Sequence, residues 1–408
     1  MIVFLDKVIY WSIILLPFSI MIAPAFAFAF IGIMSFFFLV KKVMKKEWHF
    51  INTPVNMPFL LLIAATLISI KNTINLPGSI HGVSKIIVNG LIFLVCAEEI
   101  KDKKHIQKIF ISIVCGGVLT AIDVLWQLKF GVDFIRYRPL MTFVGIQRAT
   151  AAFPHPNALG IYMCAIVPLI VGMTFFYFKG RIKKLMLIAS ALAICGLFFS
   201  FSRSAGLGAF IAILLISVIK KNKIITCTLL IGLLIFPFVM PQKIKDWGKS
   251  VNYNPIIFML NPERISIYKN ALNMIKHHPV IGVGVNTFTR NYPLYKLPEP
   301  KGAETPNSIY AHNIYLHMAS EIGLLGLIIF LWLLFRLFKS APGNYAKLSD
   351  GYLKIFYLSA TLCIVAFLIN GMAETNLYNP RVAMIFWYLI GVVLSFSKFK
   401  DTAKVEGK

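Results

Sequence analysis

The sequence predicts an all-α protein that crosses a membrane about twelve times. Of its 408 residues, 58% are hydrophobic and 14% are charged, whereas soluble domains carry charge on about a quarter of their residues. Apolar runs of about 20 residues, the length that a helix needs to cross a bilayer, recur along the chain. These observations exclude a soluble globule, and residues 1–408 are expected to form a single integral membrane domain.

The polar connections between the predicted spans alternate in charge. Lysine and arginine follow every even-numbered span, so the positive-inside rule predicts that both termini are cytoplasmic. The connections after the odd-numbered spans should then lie on the outer side. The predicted spans are 6–23, 25–40, 56–71, 80–97, 108–127, 156–178, 184–201, 204–220, 223–241, 312–338, 351–371 and 380–397.

The net charge of +25 comes mainly from the cytoplasmic connections, so a nucleic-acid partner is not expected. A cationic surface also attracts anionic membrane lipids. Two outer loops, 128–155 and the large, partly helical loop 242–311 between spans nine and ten, are basic as well. An anionic ligand at this face explains their charge most simply, although long loops also tolerate charge during translocation.

Within the large loop, Asn261-Pro262-Glu263 has the pattern of an N-cap, a first-turn proline and an acidic first turn. Apolar residues then recur at helical spacing: Ile265, Tyr268, Leu272 and Ile275. The pattern predicts an amphipathic helix that ends before Pro279 and lies on the membrane or caps the site. A tight turn is expected at 279–284, and a lid at 291–308.

Three arginines on the predicted outer side are candidate anion ligands. Arg203 stands among three serines, including Ser202, where span seven closes, and forked donors beside hydroxyls suit phosphate oxygens. Arg264 lies at the start of the loop helix, and Arg148 precedes the turn at 154–157. The structural alternatives are a snorkelling arginine, a solvated surface charge and helix capping by Asn157.

His312 and Asn313 open span ten, where polar side chains are costly unless they have a role. Histidine accepts a proton near neutral pH, which suits a general base, and the alternative is a hydrogen-bonded interfacial histidine. Gly323 and Gly326 follow after nine residues and should let a neighbouring backbone approach the helix. His317 is expected to pack. The pattern offers no metal cluster, so neither a metal nor a cofactor is expected.

The order of these motifs resembles the O-antigen ligase and O-antigen polymerase superfamily of bacterial envelope proteins. The resemblance is carried by Ser202-Arg203 ending a span, Arg264 opening a loop helix, 279–284 with Phe288, and His312-Asn313 with Gly323-x-x-Gly326. It is closest over 145–330. It implies a GT-C-type membrane glycosyltransferase in the bacterial inner membrane, with its active site facing the periplasm and no metal or nucleotide.

The resemblance implies transfer of a glycan from undecaprenyl pyrophosphate to a sugar hydroxyl of lipid A-core, a step of lipopolysaccharide biosynthesis. It makes His312 catalytic and makes Arg203 and Arg264 ligands of the donor pyrophosphate. Direct attack on the anomeric carbon would invert its configuration. Three further residues are candidates for substrate binding: Arg148, Ser202 and Asn313. The main alternative is an O-antigen polymerase that extends a lipid-linked glycan, followed by a protein O-oligosaccharyltransferase and a membrane transporter.

Overall fold

The computed structural model describes residues 1–143, 146–239, 262–298 and 309–399, together with 242, 245, 246, 249, 305 and 306. The helices are α1 (Ile2–Ile22), α2 (Pro24–Lys45), α3 (Asn56–Ser69), α4 (Leu76–Glu99), α5 (Lys103–Phe130), α6 (Pro156–Phe176), α7 (Gly180–Phe199), α8 (Arg203–Ile219), α9 (Lys223–Val239), α10 (Pro262–His277), α11 (Phe288–Asn291), α12 (Ile314–Lys347), α13 (Gly351–Asn370) and α14 (Pro380–Ser395). Strands β1 (Met141–Phe143) and β2 (Ile146–Arg148) form an antiparallel hairpin.

Each of the twelve predicted spans coincides with a helix. Nine helices within the described ranges are long and apolar enough to cross a bilayer, while α3, α8 and α9 are shorter. Helix α3 has 14 residues, or about 21 Å at 1.5 Å per residue, and a 3₁₀ turn at Ile70–Asn72 extends it. The predicted fold class, an all-α polytopic membrane protein, is confirmed.

The two ends of the bundle gather different connections, as alternating spans require. At one end, Lys103 pairs with Asp350 at 2.5 Å, which brings the α4–α5 and α12–α13 connections together. At the other end, the Arg381 guanidinium donates to the carbonyls of Ile20 and Ala152, each at 2.6 Å. This second end, which holds the end of α1 and the start of α14, is called the site end below.

Helices α6, α13 and α14 form the centre of the bundle. Their most apolar stretches are 89%, 83% and 89% buried. Helix α13 packs against α6 and α8, and α14 packs against α4. Such helices are apolar on all sides because other helices enclose them. In α2, α4 and α7 the buried share is 39%, 39% and 33%, and their large outward side chains are suited to contact lipid.

The loop helix α10 begins at Pro262 as predicted, and its expected N-cap, Asn261, lies outside the described residues. The predicted apolar stripe is not the one buried within the protein, since Leu272 is 54% exposed, and the contact of that stripe with a membrane stays a prediction. The buried residues form the neighbouring stripe: Ile267, Asn270, Ala271 and Met274. The buried stripe packs onto the α11 segment, and Asn270 joins it because its side-chain amide donates to the Tyr292 hydroxyl at 2.7 Å.

The segment 291–308, predicted to be a lid, is packed where the structure describes its first part. Tyr292–Tyr295 forms a 3₁₀ turn, and Tyr292 is fully buried against α10. The role of the segment as a lid stays a prediction. Residues 299–304, 307 and 308 lie outside the described part of the chain.

Helix α12 is broken once, at Gly323, whose φ of 75° and ψ of 176° are not helical. The break interrupts two backbone hydrogen bonds of the helix, which would leave two amides and two carbonyls without partners. Backbone groups of the segment 279–284 become the partners of all four. The amides of Val283 and Gly284 donate to the carbonyls of Ser320 and Glu321, and the amides of Leu324 and Leu325 donate to the carbonyls of Pro279 and Val280. No polar group of the break is therefore left without a partner among these residues.

The two motif glycines of α12 differ in what they permit. A Cβ on Gly323 would lie 2.0 Å from the carbonyl oxygen of Val280, so the predicted approach of a neighbouring backbone is confirmed there. At Gly326 the three atoms nearest to such a Cβ belong to the Ile322 side chain of the same helix, and the predicted approach of a neighbouring backbone stays a prediction there. Gly323 is thus the glycine on which the contact with 279–284 depends.

Glu321 holds the other side of this contact. Its carboxylate accepts from the amides of Asn286 at 2.7 Å and Phe288 at 2.9 Å, and its side chain is 1% exposed. The neighbouring His317 ring is also 1% exposed and stacks on Phe288 with ring centroids 4.5 Å apart. The prediction that His317 packs is confirmed. Two motifs that are separate in the sequence therefore form one unit of structure.

Candidate active site

His312 lies at the mouth of α12, in a position fixed by its backbone. Its φ is 46°, and its carbonyl accepts a hydrogen bond from the Tyr268 hydroxyl of α10 at 3.0 Å. The next residue, Asn313, caps the helix by accepting from the amides of Tyr315 and Leu316. The His312 side chain is 30% exposed, so a substrate can reach its ring.

Asn313 also links α12 to the α13–α14 connection. Its Nδ2 donates to the carbonyl of Met372 at 2.9 Å, so both ends of the amide have partners within the protein. These contacts position His312, which precedes it. The predicted contact of Asn313 with a substrate stays a prediction.

Arg264 docks the first turn of α10 onto the same connection. Its guanidinium donates to the carbonyl of Ala373 at 2.5 Å and to Oε1 of Glu374 at 2.6 Å. The side chain is 17% exposed. Arg264 is therefore not a solvated surface charge, because it joins the loop helix to the end of the bundle where His312 lies.

Arg148, at the end of β2, joins this group through Asn157. Its Nε donates to the carbonyl of Ser200 at 2.9 Å, and its terminal nitrogen donates to Oδ1 of Asn157 at 2.5 Å. The Asn157 amide in turn donates to Oε1 of Glu374 at 2.6 Å. Helix capping by the Asn157 side chain was a wrong expectation. The residue that caps α6 is His155, whose ring accepts a hydrogen bond from the backbone amide of Asn157.

Arg203 approaches the same place from a third direction. It is the first residue of α8, after a turn in which Phe201 adopts a φ of 48°. The Arg203 side chain is exposed, and its guanidinium lies within electrostatic range of Arg264 and Arg148. Ser202 is 7% exposed and packs on Gly160, so its predicted contact with a substrate stays a prediction.

Glu374 belongs to this candidate site and was not predicted from the sequence. Its side chain is 8% exposed; Oε1 accepts from Arg264 and Asn157, and Oε2 lies 3.4 Å from Nδ1 of His312. Burial acts to raise the pKa of Glu374, but the hydrogen bond with His312 and the charge of Arg264 outweigh it, so its pKa lies below the usual range. A signal was available, because Glu374 is the one acidic residue between Gly351 and Phe399.

Comparisons with known proteins bear on the same region. Residues 188–331 match the model of a family described as O-Antigen ligase. A protein of Rickettsia typhi (strain ATCC VR-144 / Wilmington), named "Putative polysaccharide ligase", is 24% identical over 342 residues that cover 82% of this chain and 77% of the relative. The resemblance to the O-antigen ligase superfamily is confirmed.

The O-antigen ligase match includes Arg203, Arg264 and His312, whereas Arg148 and Glu374 lie outside it. The fold brings those two residues to the matched ones. The protein is a multi-pass membrane protein, and the two matches support a ligase-type function.

The cationic side chains of this candidate site suit an anionic ligand. The carboxylate of Glu374 pairs with Arg264 and is linked to Arg148 through Asn157, and Arg203 lies within electrostatic range of both arginines. Burial, followed by the charge of Arg148, lowers the pKa of His155, so that ring is neutral at neutral pH. Forked cationic donors can hold the oxygens of a phosphate, and the exposed imidazole of His312 beside them can accept a proton.

Proposed function

We propose that this protein is an O-antigen ligase that transfers a glycan from undecaprenyl pyrophosphate to a sugar hydroxyl of lipid A-core. One observation carries the proposal: arginines from β2, α8 and α10 gather around the exposed imidazole of His312 at one end of the bundle. The family match supports the ligase-type function. The identity of the donor, the identity of the acceptor and the location in the inner membrane are proposed in addition to the ligase-type function.

The distribution of lysines supports a periplasmic site. Lys41 and Lys42 at the end of α2, and Lys103 at the start of α5, belong to the end of the bundle opposite His312. The positive-inside rule assigns a lysine-rich end to the cytoplasm. The site end would then face the periplasm, where lipid-linked glycans and lipid A-core both present their sugars.

The arginines suit the leaving group of this reaction. When the bond between the anomeric carbon and the phosphate oxygen breaks, negative charge collects on the diphosphate, and fixed guanidinium groups stabilise that charge. Arg148 is held in place by the carbonyl of Ser200 and by Asn157, so it needs little reorganisation. Arg203, which is exposed, would complete the clamp on the donor.

His312 suits the acceptor. The hydroxyl oxygen of the acceptor sugar attacks the anomeric carbon, its proton passes to the imidazole, and the undecaprenyl diphosphate leaves with the electrons of the broken bond. Attack from the face opposite the diphosphate inverts the anomeric configuration. The ring is accessible and its backbone is fixed by Tyr268 and Asn313, which is what a general base requires.

A reconstituted transfer assay tests the proposal. Purified protein in nanodiscs is given a lipid-linked glycan and rough lipopolysaccharide, and the core-linked product is resolved on a gel. We expect His312→Ala to lower the rate by about 10²–10⁴-fold. His81→Ala, at an exposed histidine of α4, is the control and should leave the rate unchanged. Equal rates for wild type and His312→Ala would overturn the base assignment, and longer lipid-linked chains without core-linked product would indicate a polymerase.

A further inference from the structure

Resting on the proposed transfer reaction, we propose that Glu374 is a positioning residue. It is shared by the proposed base, His312, and by the clamp, the three arginines Arg148, Arg203 and Arg264 that would hold the donor diphosphate. It orients the imidazole of His312 so that Nε2 accepts the proton, and it holds Arg264 until the donor diphosphate competes for it. The base and the clamp are thereby coupled through one buried carboxylate, so that donor binding strengthens the base.

The first step concerns the tautomer of His312. An ionised carboxylate can only accept hydrogen bonds, and Oε2 of Glu374 faces Nδ1 of His312 at 3.4 Å. Nδ1 must therefore carry the ring proton, which leaves the lone pair of Nε2 for the substrate. The distance is longer than an ordinary hydrogen bond, and we expect it to shorten when the ring becomes cationic during transfer.

The second step concerns the position of the carboxylate. Glu374 lies in a short connection that is tied down on both sides. Before it, the carbonyl of Gly371 accepts from the backbone amide of Ile314 at 2.8 Å. After it, the side-chain amide of Asn376 donates to the carbonyl of Phe367 at 2.8 Å. A carboxylate on such a support holds its partners within a narrow range of geometry. It can therefore orient a neighbouring ring rather than follow it.

The third step concerns competition for Arg264. Oε1 of Glu374 accepts from Arg264 at 2.6 Å, and a bound diphosphate offers the same guanidinium several anionic oxygen acceptors at once. As Arg264 turns to the diphosphate, Glu374 loses cationic stabilisation, and its attraction for a proton on His312 grows. Donor binding then makes His312 a stronger base, and by reciprocity a protonated His312 favours the donor-bound arrangement.

The arrangement also accounts for Asn157. Its amide donates to the same Oε1 at 2.6 Å while its carbonyl oxygen accepts from Arg148 at 2.5 Å. When Arg264 departs, Asn157 keeps Oε1 in place, so the carboxylate does not swing away from His312. Asn157 thus retains the geometry of the base while the clamp changes partners.

The test compares Glu374→Gln and Glu374→Asp with wild type in the nanodisc assay, after melting temperatures have established that each variant is folded. For Glu374→Gln we expect kcat to fall by about 10²–10³-fold, in the lower part of the range of proton-transfer effects. The acid limb of its pH–rate profile should move to lower pH, because a neutral amide no longer stabilises the protonated ring. Glu374→Asp keeps the charge and should recover part of kcat.

Donor affinity separates coupling from structural damage. Titration with undecaprenyl pyrophosphate should show that Glu374→Gln binds the donor lipid at least as tightly as wild type, because the competing carboxylate is gone. Asp350→Asn, which alters an ion-paired carboxylate at the opposite end of the bundle, should change neither kcat nor the pH profile.

Two results would overturn the inference. One is an unchanged kcat and pH profile in Glu374→Gln. The other is a fall in kcat accompanied by an equal loss of donor affinity, which is the result of a merely structural ion pair. Failure of the wild-type protein to transfer glycan to core would instead refute the proposed function, so the two failures are distinguishable.

Discussion

Replacing Gly323 with alanine should open the contact between α12 and the segment 279–284. Gly323 adopts a φ of 75° with a ψ of 176°, a region that is almost restricted to glycine. A Cβ at this position would lie 2.0 Å from the carbonyl oxygen of Val280 and 2.6 Å from the amide nitrogen of Ile281. Both neighbours are backbone atoms, so neither can turn aside and the whole segment must move.

The structure sets the size of the effect. Moving the segment breaks the four backbone hydrogen bonds that join it to α12, which have lengths of 2.8 to 3.3 Å. At a net contribution of about 0.5–1.5 kcal/mol each, their loss costs about 2–6 kcal/mol. An alanine forced to keep the native dihedral angles would instead suffer strain of about 1–3 kcal/mol in addition to the overlap. We expect Gly323→Ala to lower the free energy of unfolding by about 2 kcal/mol or more.

Hydrogen–deuterium exchange in nanodiscs measures this directly. In Gly323→Ala, the amides of Val283, Gly284, Leu324 and Leu325 should lose protection, and the melting temperature should fall. Gly343→Ala in the same helix is a matched control, because its Cβ would meet nothing within 4 Å. The control should be neutral or stabilising by about 0.5–1 kcal/mol. If the four amides were as well protected from exchange in Gly323→Ala as they are in wild type, the reasoning would be refuted.

Three further predictions concern the site end. Asn313→Ala removes the cap of α12 and should lower the free energy of unfolding by about 1 kcal/mol, seen as a lower melting temperature. Arg381→Lys leaves buried carbonyls without a donor and should cost about 2–6 kcal/mol, whereas Arg336→Lys at an exposed position should be neutral. The lowered pKa of Glu374 means that its contacts stabilise the fold above the ordinary carboxyl pKa and are lost as pH falls through the folded value. Melting temperatures of Glu374→Gln measured between about pH 3 and 7 should therefore vary less than those of wild type, and an equally steep acid decline would contradict this.

The spans were predictable because lipid leaves an apolar chain few ways to satisfy its backbone. Each apolar run of the sequence became a helix, and the alternation of polar connections carried over to the two ends of the bundle. The ends of individual helices depend on local turns instead. Phe201, with its φ of 48°, separates α7 from α8 and places Arg203 at the start of a helix rather than at the end of one.

The cationic residues of the site were predictable for a related reason, since charged and polar groups at the mouth of a span are conspicuous. The carboxylate that links them, Glu374, could not be predicted in this way. Glu374 meets Asn157, Arg264 and His312 across 217, 110 and 62 residues of sequence, and no local pattern encodes those separations. The buried face of α10 was missed for the same reason, because the partner that covers it determines which stripe is buried.

These long-range contacts give α10 a supporting contact at each end. Its first turn is held by Arg264 on the α13–α14 connection, and its last turn runs directly into the segment 279–284 that is paired with α12 around Gly323. Between the two ends, Tyr268 donates to the carbonyl of His312. A glycine with no polar side chain thus helps to position the imidazole, because it fixes one end of the helix that contacts it. Gly323→Ala should therefore raise hydrogen exchange throughout 262–277 and leave α2 unaffected. If exchange in α10 stayed at the wild-type level while the α12 contact opened, the two supports would be independent, and the motif glycine would act on His312 by another route.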